Sequence, residues 1–418
     1  MIERPLKLPN GARLKNRIVK SAMSEALADA RNDPTEGMIA LYRRWGQSGA
    51  ALLITGNTPV DRNHLEHAAN VVLDERSDPE KARRLAAAAK SGGALALVQI
   101  SHSGRQTPAA INARPLSISD AALELPGYGT PRMASEDALQ AVIARFAVAA
   151  RLAQEAGFDG VEVHGAHGYL LSSALSPRIN TRKDRWGGSL ANRSRLLREV
   201  IRAVRAASGA DFVVAAKLNS SDFQKGGFTH AESIETARML EREGVDFLEI
   251  SGGTFETPVA YQHAPGKHAP DQHTAVKQST AAREAYFLDY ARDIKAALSI
   301  PVMVTGGFRS AAVMRQALAQ DATDLIGMGR PFILDPDFPR RLLAGEIATA
   351  PAPERGFPPA EALPRGAVLN WFCHQLALQC TEGKADPGLP LTAGHERYLD
   401  RIASSTAGLL AARAAATS

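Results

Sequence analysis

Short apolar or β-rich runs recur along the chain at 17–23, 51–55, 94–100, 159–163, 212–218, 245–251, 301–305 and 323–328, and they read as buried strands. Between them the spacing turns helical. Leu139, Val142, Ile143, Phe146, Ala149, Ala150 and Ala153 form one stripe at helical spacing, and Asp78-Pro79 reads as an N-cap and first helical residue ahead of Lys81-Ala82-Arg83-Arg84-Leu85. Strands that alternate with helices pair in parallel. Eight such units in one continuous chain predict an α/β fold, a closed (β/α)8 TIM barrel with excursion loops and a C-terminal extension. No Gly-x-Gly-x-x-Gly fingerprint follows an early strand, which weakens the open doubly wound alternative.

The expected organisation is a cofactor-binding barrel over 1–345 and a C-terminal extension over 346–418, Pro-rich across Ala350–Pro364 and then helical. The Ala-rich tail after about Ser404 reads as a loosely attached or frayed helix. A long polar connection, 252–278, is expected to roof the barrel mouth. Its three histidines, His263, His268 and His273, lack a carboxylate or cysteine at ligand spacing, so no metal is expected.

With 418 residues, 45% hydrophobic and 22% charged, the chain can bury a large core, and disorder is not an option. The net charge of +5 is spread out, which argues against a nucleic-acid or membrane surface. No run approaches a membrane span, and Met1-Ile2-Glu3-Arg4-Pro5-Leu6-Lys7 has no signal-peptide core, so a cytoplasmic location is expected. Only Cys373 and Cys380 occur, too few for a four-cysteine cluster and consistent with a reducing compartment.

Candidate chemistry concentrates where strands end. The fourth run, Asp159-Gly160-Val161-Glu162-Val163, leads into His164-Gly165-Ala166-His167-Gly168-Tyr169, and the C-terminal ends of barrel strands are where such enzymes do chemistry. The seventh run ends in Gly306-Gly307, and the eighth in Gly327-Met328-Gly329-Arg330. Taken singly, these glycines could serve tight turns. Occurring at both the seventh and eighth strands, they read as a phosphate cradle with Arg330 as a charged fork. Sugar phosphates, pyridoxal phosphate and FMN would all suit it. Two more strand-end groups choose among them: Gln99 suits the pyrimidine edge of an isoalloxazine, and Lys217 suits N1 and the C2 carbonyl, where charge collects on reduction. Lys217 is open to two other readings, a lone salt bridge or a Schiff-base nucleophile.

The sequence resembles the Old Yellow Enzyme family of FMN-dependent ene-reductases. The resemblance runs from about Pro5 to Pro339 through Leu14-Lys15-Asn16-Arg17-Ile18-Val19-Lys20-Ser21-Ala22-Met23 and Gln99 to Arg105. It is densest from His164 to Arg193, which includes Ser176-Pro177-Arg178-Ile179-Asn180 and Asp184-Arg185-Trp186-Gly187-Gly188. It implies that His164 and His167 polarise an unsaturated carbonyl substrate, that Tyr169 gives a proton to the α-carbon, and that FMN carries the hydride. It also implies flavin contacts from Ala22, Met23, Ser24 and Asn57, besides Gln99, Lys217, Gly306, Gly307, Met328, Gly329 and Arg330. Two departures bear on tuning: Lys217 stands where many relatives have arginine, and Ser24 where they have cysteine or threonine. Two others bear on substrate range: Ala26 lies near a position some relatives give to tyrosine, and Ala191 sits where an acidic residue is frequent. Larger relatives add a cysteine-ligated cluster and a second flavin domain, whereas the two cysteines here point to direct reduction by NADH or NADPH. The preference between those nucleotides, the natural alkene and homo-oligomer formation stay open. Alternatives are a flavoprotein oxidase or dehydrogenase of a small substrate, and a redox-responsive flavin-binding protein whose turnover is incidental.

Overall fold

Ile18 lies opposite Ile326 and Val19 opposite both Gly327 and Leu52, so the first strand pairs with the second and the eighth, and the sheet closes on itself. The computed structural model describes residues 1–253 and 287–417. Its barrel strands are β1 (Ile18–Lys20), β2 (Leu52–Ile54), β3 (Leu95–Ser101), β4 (Gly160–Gly165), β5 (Val213–Asn219), β6 (Phe247–Ser251), β7 (Val302–Thr305) and β8 (Leu325–Met328). Every neighbouring pair is parallel. Each strand overlaps one of the eight apolar runs. A short strand, Thr58–Pro59, adds to the sheet beside β3.

The layer outside the sheet is helical for the reasons the sequence states. Helix α1 (Glu36–Gly46) is capped by Thr35, and Asp78 caps α2 (Pro79–Ala89) by accepting from the backbone N–H groups of Glu80 and Lys81. Helix α3 (Glu136–Glu155) buries the seven residues of the predicted stripe. α4 (Arg195–Ser208), α5 (His230–Arg242), α6 (Leu288–Ala296) and α7 (Ala311–Ala319) continue the alternation, and a Thr229–Glu232 capping box starts α5.

Side chains alternate along each strand, and that period separates two cores. Val98, Ile100, Val161, Val163, Val214, Ala216, Leu248 and Ile250 face the helices. Val19, Leu52, Leu97, Val213, Ala215, Phe247, Met303 and Leu325 fill the barrel interior, together with Leu8 and Leu14 from the N-terminal hairpin segment. The lower interior is therefore solid hydrocarbon, and anything polar must sit above it, toward the C-terminal ends of the strands.

The segment after the barrel packs back onto it. Helix α8 (Ala367–Thr381) buries Trp371, Phe372, Cys373 and Leu376, and α9 (Leu391–Thr417) follows. The expected frayed tail is instead held: Leu409 is buried with Leu65, Ala68 and Val72, and the Arg413 guanidinium donates to the carbonyls of Ile111 and Arg62. Alanine content alone hid that anchoring. The connection expected to roof the site lies outside the described residues from residue 254 onward, as do His263, His268 and His273.

Candidate active site

Continuing the inward register of each strand by two residues turns hydrocarbon into charge. Leu97 is followed by Gln99, Gly160 by Glu162 and His164, Ala215 by Lys217, and Phe247 by Glu249 and Ser251. Gln99 lies opposite Glu162 and donates to it at 2.6 Å, while Lys217 lies opposite Glu249 at an ion-pair distance of 2.6 Å. The Glu162 carboxyl also contacts Glu249, and burial together with that neighbouring carboxylate holds its proton well above the usual carboxylate range. Buried charge of this kind persists only when paired. Lys217 is thus not a lone cation at the cavity floor, and its ion-paired state is unlike that of a desolvated Schiff-base lysine.

The histidine loop stands on this layer. His164 is the next-to-last residue of β4, and the Ala166 N–H donates to its Nδ1 at 3.3 Å, which leaves the ring proton on Nε2. His167 adopts φ 61°, a left-handed conformation costly for a branched-free but non-glycine residue by roughly 1–3 kcal/mol. Both peptide groups flanking that turn are held: its N–H by Asn219 Oδ1 at 3.1 Å and its carbonyl by Gln106 Nε2 at 2.8 Å. Its Nε2 lies 2.8 Å from Ser251 Oγ. The two imidazoles meet edge to face at 5.3 Å, and the Tyr169 ring lies 4.7 Å from that of His164. Burial and the Lys217 cation push His167 down to about 3, and burial, His167 and Lys217 hold His164 well below the ordinary histidine range. Both rings are neutral hydrogen-bond donors at physiological pH.

The other end of the cavity is built from backbone. Gly306 and Gly307 have φ of 120° and 82°, which only glycine adopts cheaply. At Gly327, a Cβ would come within 1.9 Å of Thr305 Oγ1 and 2.5 Å of Ser21 Oγ, because those two hydroxyls bond across the barrel mouth at 2.7 Å.

Every site residue singled out in the sequence lines one cavity of about 330 Å³: Ala22, Met23, Ser24, Asn57, Gln99, His164, His167, Tyr169, Lys217, Gly306, Gly307, Met328, Gly329 and Arg330. A cavity lined by an amide, a cation and glycine backbone beside an arginine fits FMN. The lining residues that the sequence reading missed include Ser251, Thr305 and Arg309 and three further sets. Glu66 accepts from Ser24 Oγ at 2.7 Å and from Asn57 Nδ2 at 2.8 Å, and Gln106 holds His167. The third set comes from the C-terminal segment: Glu354, Arg355, Leu369, Phe372, Cys373 and Leu376. The last four face the cavity from α8, whose apolar face was legible only as core.

The run from His164 to Arg193 divides into two jobs. Only its first part lines the cavity. Asn180 Nδ2 donates to the carbonyls of Ala174 and Trp186 at 2.8 and 2.7 Å, Arg182 donates to those of Ala134 and Ile118 at 2.6 and 3.3 Å, and Arg193 donates to that of Gly188 at 3.0 Å. These residues staple the loop. Elsewhere Asp61, His64 and His102 lie within reach of one metal ion. The Leu116 N–H donates to His64 Nε2 at 2.8 Å, however, so the proton sits on Nδ1 and points at Asp61 2.9 Å away. That arrangement is a hydrogen-bonded support for the strand end, not a ligand set.

The family model for NADH:flavin oxidoreductases and NADH oxidases matches residues 2–347. The chain belongs to that family. Its relatives include NADH-dependent flavin oxidoreductases of Aspergillus parasiticus, 37% identical with 81% of this chain and 77% of the relative covered, and of Neonectria sp. (strain DH2), 34% identical with 92% and 52% covered. Among solved structures, a 2-naphthoyl-CoA reductase bound to 2-naphthoyl-CoA superposes with a TM-score of 0.75 at 26% identity over 84% of this chain and 53% of that one. An old yellow enzyme homologue from Zymomonas mobilis superposes with 0.70 at 25% identity over 86% and 97%. The chain therefore spans about half the length of the Neonectria protein and of the naphthoyl-CoA reductase. Membership of this flavin oxidoreductase family brings FMN as the cofactor. No helix among the described residues is long and apolar enough to cross a membrane.

Proposed function

We propose that this chain reduces a C=C bond conjugated to a carbonyl, with His164 and His167 as donors to the carbonyl oxygen and Tyr169 as the proton source. The observation that carries this reading is the convergence of two neutral imidazoles and a phenol on one cavity, within 5.3 Å and 4.7 Å ring to ring. Gly306, Gly307, Gly329 and Arg330 would hold the FMN phosphate, Gln99 and Lys217 the pyrimidine edge of the ring, and Ala22, Met23, Ser24 and Asn57 its other edge. FMN, when bound, supplies two-electron hydride chemistry to the substrate β-carbon, after NADH or NADPH has reduced it.

The chain's own part is electrostatic and protonic. His164 presents Nε2–H because Nδ1 is already an acceptor. His167 presents Nδ1–H when the Ser251 hydroxyl donates to its Nε2. Two fixed donors stabilise the enolate-like oxygen without reorganising, an effect worth roughly 10²–10³ in rate per donor. Neutral rings matter here. An imidazolium would repel Lys217 and would not survive burial. In this reading Tyr169 gives its phenolic proton to the carbanion, the general-acid role of a positioned side chain.

Anaerobic stopped-flow tests the assignment. NADH or NADPH should bleach bound flavin near 450 nm, and cyclohexenone should restore it. Flavin that is reduced by the nucleotide but reoxidised only by oxygen would overturn the alkene reading and leave an oxidase.

A further inference from the structure

The segment following the barrel returns to the phosphate end of the cavity. Ala311 N–H donates to Ala348 O at 2.9 Å and Ala350 N–H to Arg309 O at 2.8 Å, and this seam sets the one-turn helix Pro353–Gly356 beside Arg309. There the Glu354 carboxylate accepts from Arg309 Nη2, and the same oxygen lies 4.0 Å from Arg330 Nη1. Arg309 and Glu354 are each 7% exposed. All three line the cavity with Gly306, Gly307 and Gly329. Two guanidiniums sharing a buried corner repel each other, and a carboxylate between them offsets that repulsion and fixes where their N–H forks point. Glu354 Oε2 is buried without a hydrogen-bond partner among the described residues, so the carboxylate retains an acceptor on which Arg330 can close.

We propose that Glu354 is a positioning residue for the phosphate end of the flavin, holding Arg309 and Arg330 as a pair at the glycine cradle. Glu354 lies in the C-terminal segment, beyond residue 347 where the family match stops. The proposal rests on the FMN assignment, and its chemistry is specific: an anion at the cradle gains, whereas the ring and ribityl chain do not.

The test compares wild type with Glu354→Gln and Glu354→Asp after flavin removal, titrating FMN and riboflavin separately by quenching of flavin fluorescence. Glu354→Gln should weaken FMN by about tenfold while leaving riboflavin unchanged, as expected for misaligned charge-assisted hydrogen bonds. Glu354→Asp should recover most of the loss. Equal losses for both ligands would mean a purely structural role and would overturn the proposal. So would unchanged FMN affinity, or a tightening that marks the carboxylate as a competitor of the phosphate. A wild-type protein that binds neither flavin would overturn the cofactor assignment, and this proposal with it.

Discussion

Lys217 and Glu249 are cross-strand neighbours whose side chains form an ion pair of 2.6 Å inside the barrel, 5% and 0% exposed. The cation beneath the proposed pyrimidine edge is therefore partly neutralised from below. Glu249→Gln leaves it uncompensated next to the site where negative charge collects, and should raise the midpoint potential of bound FMN by about 30 mV or more, the two-electron equivalent of ~1.4 kcal/mol. Lys217→Met should move it the other way. Dye-equilibrated redox titration reads both shifts, and a potential indifferent to both changes would show that the pair does not sense the flavin.

Tyr169→Phe and His164→Ala should both slow the oxidative half-reaction. Neither should impair flavin reduction by the nucleotide to the same degree as reoxidation by an enone. Loss of the phenol should cost roughly 10²–10⁴ in the reoxidation step, and loss of one donor roughly 10²–10³. Two-phase anaerobic stopped-flow separates the half-reactions, and equal slowing of both would remove the assigned roles.

The buried histidines also link stability to pH. His167, at about 3, and His164, well below the ordinary range, are neutral in the folded state, whereas in the unfolded chain they take up protons below about 6.5. The unfolded state then holds more protons, so stability is intact above that value and falls as pH drops, by up to ~1.4 kcal/mol per pH unit for each ring. For His167 the loss continues down to about 3. His167→Asn should show a shallower decline of Tm between about pH 7 and 5 than wild type; parallel declines would contradict the burial argument.

Asn180 is a structural residue inside a stretch that looks catalytic. Its amide satisfies two buried carbonyls, and Asn180→Ala should cost about 1–3 kcal/mol in urea unfolding, since both acceptors lose their partner. Rates measured on the folded fraction should be near wild type. A specific loss of turnover without loss of stability would return the residue to the active site.

How far the sequence reveals this molecule depends on whether a property is local or shared. The strands are legible because each is a short apolar run, and the inward register of Gln99, His164 and Lys217 follows from a period of two. The pairing of Lys217 with Glu249 is not legible, since it depends on which strands become neighbours. Asn180 and Arg193 look functional because the same polar residue types serve carbonyl staples and active sites. The contribution of α8 was hidden for the opposite reason: Phe372 and Leu376 look like any buried apolar face, and nothing local says that one side of that face borders a cavity. Glu354 sits in a proline-rich stretch where an acid reads as solvent-exposed, yet it is buried beside the seam to Arg309.

The hydroxyl bridge from Ser21 to Thr305 joins residues 284 positions apart, beside the seam where β8 meets β1. Contacts of such separation form late, because the entropy of closing so long a loop must be met before they give anything back. The mouth that receives the cofactor is thus assembled by the last strands to find one another, and a partly wound barrel has its histidines and its lysine but no finished cradle. Capture of flavin by a refolding chain would then time the closing of the ring itself.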